Sequence, residues 1–91
     1  MRWELGRTET FVRTAKRYLR RRRDLIKPLE RVFQQLETDP FHPTLHTHGL
    51  SGNLQGLWSV RLTFRARLVV RIDTDRRQIL LVDIGDHDAV Y

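Results

Sequence analysis

The chain has 91 residues, of which 40% are apolar and eight are aromatic, enough for one hydrophobic core and too few for two. Seventeen Lys and Arg against eleven Asp and Glu leave a net charge of +6, and fifteen of the seventeen cations are Arg. With no Cys and only eight Gly and Pro, this composition excludes a disulfide scaffold, thiolate chemistry, collagen and low-complexity disorder. Arg is a planar, permanently charged fork that fits phosphate oxygens, so an anionic partner is expected, nucleic acid first. The N-terminus lacks the apolar run of a signal peptide, and no stretch nears the ~20 apolar residues that span a bilayer. A cytoplasmic protein without a membrane partner is expected.

In chain order, Trp3 to Leu5 reads as a short extended start. Thr8 or Thr10 can cap a helix whose apolar positions are Phe11, Val12, Ala15, Tyr18 and Leu19, one stripe at helical spacing. Arg20, Arg21, Arg22 and Arg23 close it, where cations suit the negative end of the helix dipole. Asp24 is the expected cap of a second helix carrying Leu25, Leu29, Val32, Phe33 and Leu36, with Pro28 in its first turn. Asp39-Pro40 ends that helix, and Pro43, Gly49, Gly52 and Gly56 mark a loop. The period then changes to two. Trp58, Val60 and Leu62 alternate with Ser59, Arg61 and Thr63; a turn follows over 63–66; Leu68, Val70 and Ile72 form the next apolar face. Asp73 to Arg76 is a hairpin turn, Ile79 to Ile84 a nearly continuous apolar strand, and Asp86-His87-Asp88 a short polar tail before Val90-Tyr91.

The expected fold is α+β in the order β-α-α-β-β-β, a single domain over residues 1–91. An antiparallel sheet carries an N-terminal helical hairpin on one face. Alternation leaves Arg61, Arg65 or Arg67, and Arg71 for the other face, with His48 before the meander and His87 and Tyr91 after it. Such a set resembles the equipment of a ribonuclease that needs no metal. A base takes the ribose 2′-OH proton, cations balance the phosphate charge, and an acid protonates the 5′-oxygen. Arg71 reads as an ordinary solvent-face residue. The run Arg20 to Arg23 reads most simply as a solvated helix end, and alternatively as a contact for RNA, the ribosome or an acidic protein. His42, His46 and His48 lie at intervals of four and two in a Pro-containing loop with no acidic residue among them. No metal site and no cofactor is expected there.

Taken in order, several segments resemble the RelE/ParE superfamily of toxins, on the mRNA-interferase side and nearest its YafQ-like branch. They are Phe11, Leu36 to Pro40, His48 to Gly52, Gly56 to Leu62, Arg67 to Ile72, and Ile84 to Tyr91, so the resemblance spans essentially the whole chain. It implies a compact ribonuclease-like fold, ribosome-dependent cleavage of mRNA, and a cognate antitoxin that neutralises a toxin monomeric when free. By position it implies His48 and His87 as acid–base residues, Tyr91 as the C-terminal aromatic, Arg67 as the phosphate-stabilising Arg, and Arg61 at a commonly basic position. The chain departs from the pattern in three places. Arg65 stands where the YafQ-like branch has an acidic residue and Arg61 where it has a second His. Ala66 replaces the aromatic that usually precedes the Arg of that strand. The alternatives are a non-enzymatic ParE-like inhibitor of DNA gyrase and a degenerate RNA- or ribosome-binding module.

Overall fold

A computed structural model of the chain describes residues 2–90. Strand β1 (Glu4–Arg7) leads into helix α1 (Glu9–Arg21), a 3-10 turn (Arg23–Leu25) and helix α2 (Ile26–Thr38). Strands β2 (His48–Gly49), β3 (Trp58–Arg61), β4 (Ala66–Asp73) and β5 (Gln78–Asp86) follow, and one helical turn, α3 (His87–Val90), closes the described chain. Among the described residues no helix is long and apolar enough to cross a membrane.

Thr8 is the cap of α1: its Oγ1 accepts the Phe11 N–H at 3.0 Å, which satisfies one of the four orphan donors of a helix start. Glu9 lies in the first turn and Arg20 and Arg21 in the last, as the macrodipole favours. The expectation that Asp24 caps α2 is not met. Asp24 lies in the 3-10 turn, and its carboxylate takes both Nε and Nη2 of Arg22 at 3.2 Å, a bidentate charge-assisted pair in place of a single cap bond. Pro28 is the third residue of α2, where its missing N–H has no intrahelical acceptor to lose.

The two helices bury Phe11, Ala15, Leu29, Val32 and Leu36 against Val60, Leu68, Val70, Ile79, Leu81 and Ile84 of one sheet face. The strand order is β1-β5-β4-β3-β2. The sheet is mixed rather than antiparallel throughout, because β1 pairs parallel with β5, Glu4 to Gln78 through Arg7 to Leu81. An apolar run such as Ile79 to Ile84 is stable only with a neighbour on each side, and β1 supplies the second one. The segment read as loop after Pro43 also contributes β2, whose two residues pair with Trp58 and Ser59.

One irregularity positions everything that follows. Val69 pairs with Asp83 but Val70 pairs with Leu81, so Val82 is an extra residue with no opposite partner. Ile79 and Leu81 have odd numbers and Ile84 an even one, and strict alternation would send them to opposite faces. The bulge rephases the strand, and all three are buried. It also sets Gly85 opposite Arg67 and Ala66 opposite Asp86.

Candidate functional site

The face turned away from the helices carries two rows of cross-strand neighbours. His48, Ser59, Val69 and Asp83 form one row; Arg61, Arg67 and Gly85 form the next, nearer the β3–β4 turn. Arg61 and Arg67 are directly opposed. Like charges so placed cost about 0.2–1 kcal/mol unless something relieves them, and both guanidiniums turn toward the connecting turn. Arg67 donates Nη1 to the carbonyls of Thr63 and Ala66. No described residue takes its Nε or Nη2, which leaves three of the five guanidinium donors for an anion. Arg61 lies over the Phe64 ring, 5.7 Å from its centroid, and donates Nη1 to His46 Nε2 at 3.5 Å.

The turn itself is held from several sides. Leu62 and Thr63 N–H both donate to Ala66 O, and Ala66 N–H donates to Thr63 Oγ1. The His87 N–H donates to Arg65 O at 2.6 Å, tying the turn to the start of α3. Arg65, Asp86, His87 and Asp88 line a cleft of about 360 Å³ at this junction. His87 is half exposed, with Nδ1 3.5 Å from Asp88 Oδ1. A second depression of similar volume, along β1 and β5 on the same sheet face, is lined by Glu4, Gly6, Arg71, Asp73, Gln78 and Leu80. Like the cleft beside α3 it sets one Arg against two carboxylates, but it includes no histidine.

The other side of Asp86 belongs to α1. Tyr18 Oη donates to Asp86 Oδ1 at 2.6 Å, and Arg22 Nη1 lies 3.5 Å from the same oxygen. Arg22 therefore sits between two carboxylates, Asp24 and Asp86. Its own pKa is raised further by the Asp24 hydrogen bond, which in turn holds the Asp24 carboxyl below its usual range. Burial, then the hydrogen bond to Asp86 and its charge, push the Tyr18 hydroxyl up to about 12 from the ordinary 10.0. A folded-state value above the unfolded one means that this contribution to stability is complete below pH 10. It is lost as pH rises through about 12. In a Tyr91→Phe background, tyrosinate absorbance should report Tyr18 titrating well above 10, and Asp86→Asn should bring it back toward 10. Titration near 10 in both proteins would show that Asp86 does not hold the phenol.

Strand spacing places the expected residues relative to one another. Arg67 and His87 have Cα atoms about 8 Å apart, one strand over and two residues along. His48 is a similar distance from Arg61, but three strands and four residues from His87, on the order of 20 Å. Arg65, Arg67 and His87 thus form one group, with Arg61 at its edge and His46 and His48 beyond. His48 Nδ1 lies 3.0 Å from the His46 carbonyl. A carbonyl only accepts, so Nδ1 carries the hydrogen of this bond. Tyr91 lies outside the described residues. Arg20, Arg21 and Arg23 are exposed at the end of α1, whereas Arg22 is committed to Asp24 and Asp86.

Sequence reasoning missed three participants. Phe64 stands 76% exposed at the tip of the turn; burying such a ring is worth about 2 kcal/mol, so its position on the surface is notable. Its signal was an aromatic inside the run Arg61-Leu62-Thr63-Phe64-Arg65-Ala66-Arg67. His46 is the second: its left-handed φ of 48° and its contact with Arg61 have no local signature. Tyr18 lies on the apolar stripe of α1, and its partner Asp86 is 68 residues away.

No family model and no curated protein matches the chain. Solved structures do. It is similar to the YoeB/ParE toxin from Agrobacterium tumefaciens, with 19% identity, TM-score 0.76, and coverage of 92% of this chain and 98% of that one. It is similar to the RelBE2 toxin–antitoxin complex from Mycobacterium tuberculosis, with 22% identity, TM-score 0.75, and coverage of 96% and 100%. The E. coli DinJ-YafQ toxin–antitoxin complex matches with 15% identity, TM-score 0.80, and coverage of 100% and 99%. Both chains are covered almost end to end in each case, and the chain has the fold of the RelE/ParE-superfamily toxins.

Proposed function

We propose that the chain is the toxin of a type II toxin–antitoxin system, an endoribonuclease that cuts mRNA on the ribosome. The observation that carries this reading is the cleft beside the β3–β4 turn, lined by Arg65, Asp86, a half-exposed His87 and Asp88, next to the opposed pair Arg61 and Arg67. The ribose 2′-OH attacks the adjacent phosphorus and gives its proton to solvent water, the P–O5′ bond breaks, and a 2′,3′-cyclic phosphate and a 5′-OH remain. Arg67 offers Nε and Nη2 to the non-bridging oxygens, whose negative charge rises in the transition state. His87 is the acid that protonates the leaving 5′-oxygen. Arg61 extends the cationic track along which the strand runs, and His48 lies farther along the same face. The exposed Arg20, Arg21 and Arg23 form a separate surface for rRNA or for an acidic segment of the antitoxin. The complexes formed by RelBE2 and by DinJ-YafQ support an antitoxin partner here. On this reading the protein works in the cytoplasm.

The test adds purified protein to ribosomes programmed with a defined mRNA, with chelator present, and runs a gyrase supercoiling assay alongside. Discrete cuts in the mRNA and unimpaired supercoiling are expected. Intact mRNA with blocked supercoiling would place the chain with the gyrase inhibitors instead.

A further inference from the structure

Phe64 is the most exposed large hydrophobic side chain among the described residues, at 76%, against 40% and 43% for Ile26 and Phe41. Its setting is unlike theirs. The Arg61 guanidinium covers one face of the ring at 5.7 Å, and Arg65 and Arg67 follow in the chain. The backbone beneath it is fixed on both sides: Arg67 Nη1 donates to Thr63 O, and the His87 N–H donates to Arg65 O. An exposed aromatic on a mobile loop would pay to be ordered on binding; this one is ordered beforehand. Because Arg65 is bonded to His87 and adjacent to Phe64, the Phe64 and His87 Cα atoms lie within about 9 Å.

We infer that Phe64 is a stacking platform for an unpaired nucleobase of the RNA, the base neighbouring the phosphate held at Arg65, Arg67 and His87. The inference rests on the RNA-cleavage reading and deepens it. Single-stranded RNA is held by cations along its backbone and by aromatic faces under its bases. The turn supplies both within four residues. Arg61 on one face and a base on the other sandwich the ring, and the cation strengthens the contact with an electron-rich partner. Stacking is tolerant of base identity, so Phe64 sets affinity and the register of the strand in the cleft without dictating a codon by hydrogen bonds.

The test measures single-turnover cleavage of ribosome-bound mRNA by the wild type, F64A, F64L and F64W, with circular dichroism to confirm folding. Phe64 is exposed, so all four should fold alike. F64A and F64L should need about tenfold to a hundredfold more protein for half-maximal cutting, and F64W should match the wild type. An mRNA with an abasic nucleotide beside the cut should be cut equally poorly by the wild type and F64A, since ring and base are then each absent in turn. A wild type that cuts normally while F64A does the same overturns the stacking alone, as does abasic mRNA that still separates the two proteins. A wild type that leaves every mRNA intact overturns the cleavage reading itself, and the stacking with it.

Discussion

Replacing His87 by Ala should lower mRNA cleavage by about two to four orders of magnitude, the usual worth of a positioned acid or base. The melting temperature should barely move, because the side chain is half exposed and the bond tying α3 to the turn comes from the His87 backbone N–H, which Ala retains. Single-turnover cleavage and a thermal melt of the same preparation separate the two effects. A His87→Ala protein cutting within a few-fold of the wild type would remove the imidazole from the reaction. A protein that loses activity and stability together would point to His87 as a structural residue of the turn.

The second large effect is expected at Arg67, and its signature is a failed conservative exchange. Arg67→Ala should cost about a hundredfold to a thousandfold in rate, the range for removing one transition-state donor. It should also cost about 1–2 kcal/mol of stability, because the carbonyls of Thr63 and Ala66 lose their shared donor. Arg67→Lys should recover little of either. An ammonium is a point charge with three donors on a flexible stem, and it cannot hold two carbonyls of the turn and grip a phosphate at once. Rates for Arg67→Lys equal to the wild type would mean that charge alone matters there and that the fork geometry does not.

Both effects depend on features that the sequence shows to different degrees. The helices are legible because their stripes are local: Phe11 and Ala15, and Leu29, Val32 and Leu36, fall at helical spacing and all are buried. Alternation likewise places Val60, Leu68 and Val70 inward, and hence Arg61 and Arg67 on the other face. What escapes is long-range or has no periodicity. The parallel pairing of β1 with β5 joins residues some seventy positions apart, and a strand as short as β1 carries no mark of direction. The two exposed residues of β2 offer no pattern at all. The bulge at Val82 was written in the parity change between Leu81 and Ile84, yet a continuous apolar run hides it.

The site divides the same way. That Arg67 and His87 would be neighbours follows from the meander. That the turn is bonded to α3 through Arg65 O, or that Tyr18 and Arg22 grip Asp86 beside His87, follows only from the packed structure. Asp24 is instructive: as a helix cap it is a good local guess, but an Arg two residues away offered it a bidentate partner. That exchange changes the reading of the Arg run. Arg22 is neutralised by two carboxylates and anchors the end of β5, while Arg20, Arg21 and Arg23 remain as surface charge.

The most direct measurement is of the RNA ends. The wild-type protein is added to programmed ribosomes in the presence of chelator, and the fragments are analysed at the cut. Attack by the 2′-OH with Arg67 and His87 as its partners predicts a 2′,3′-cyclic phosphate on the upstream piece and a 5′-OH on the downstream piece. Fragments ending in 3′-OH and 5′-phosphate, or an mRNA left whole, would contradict it.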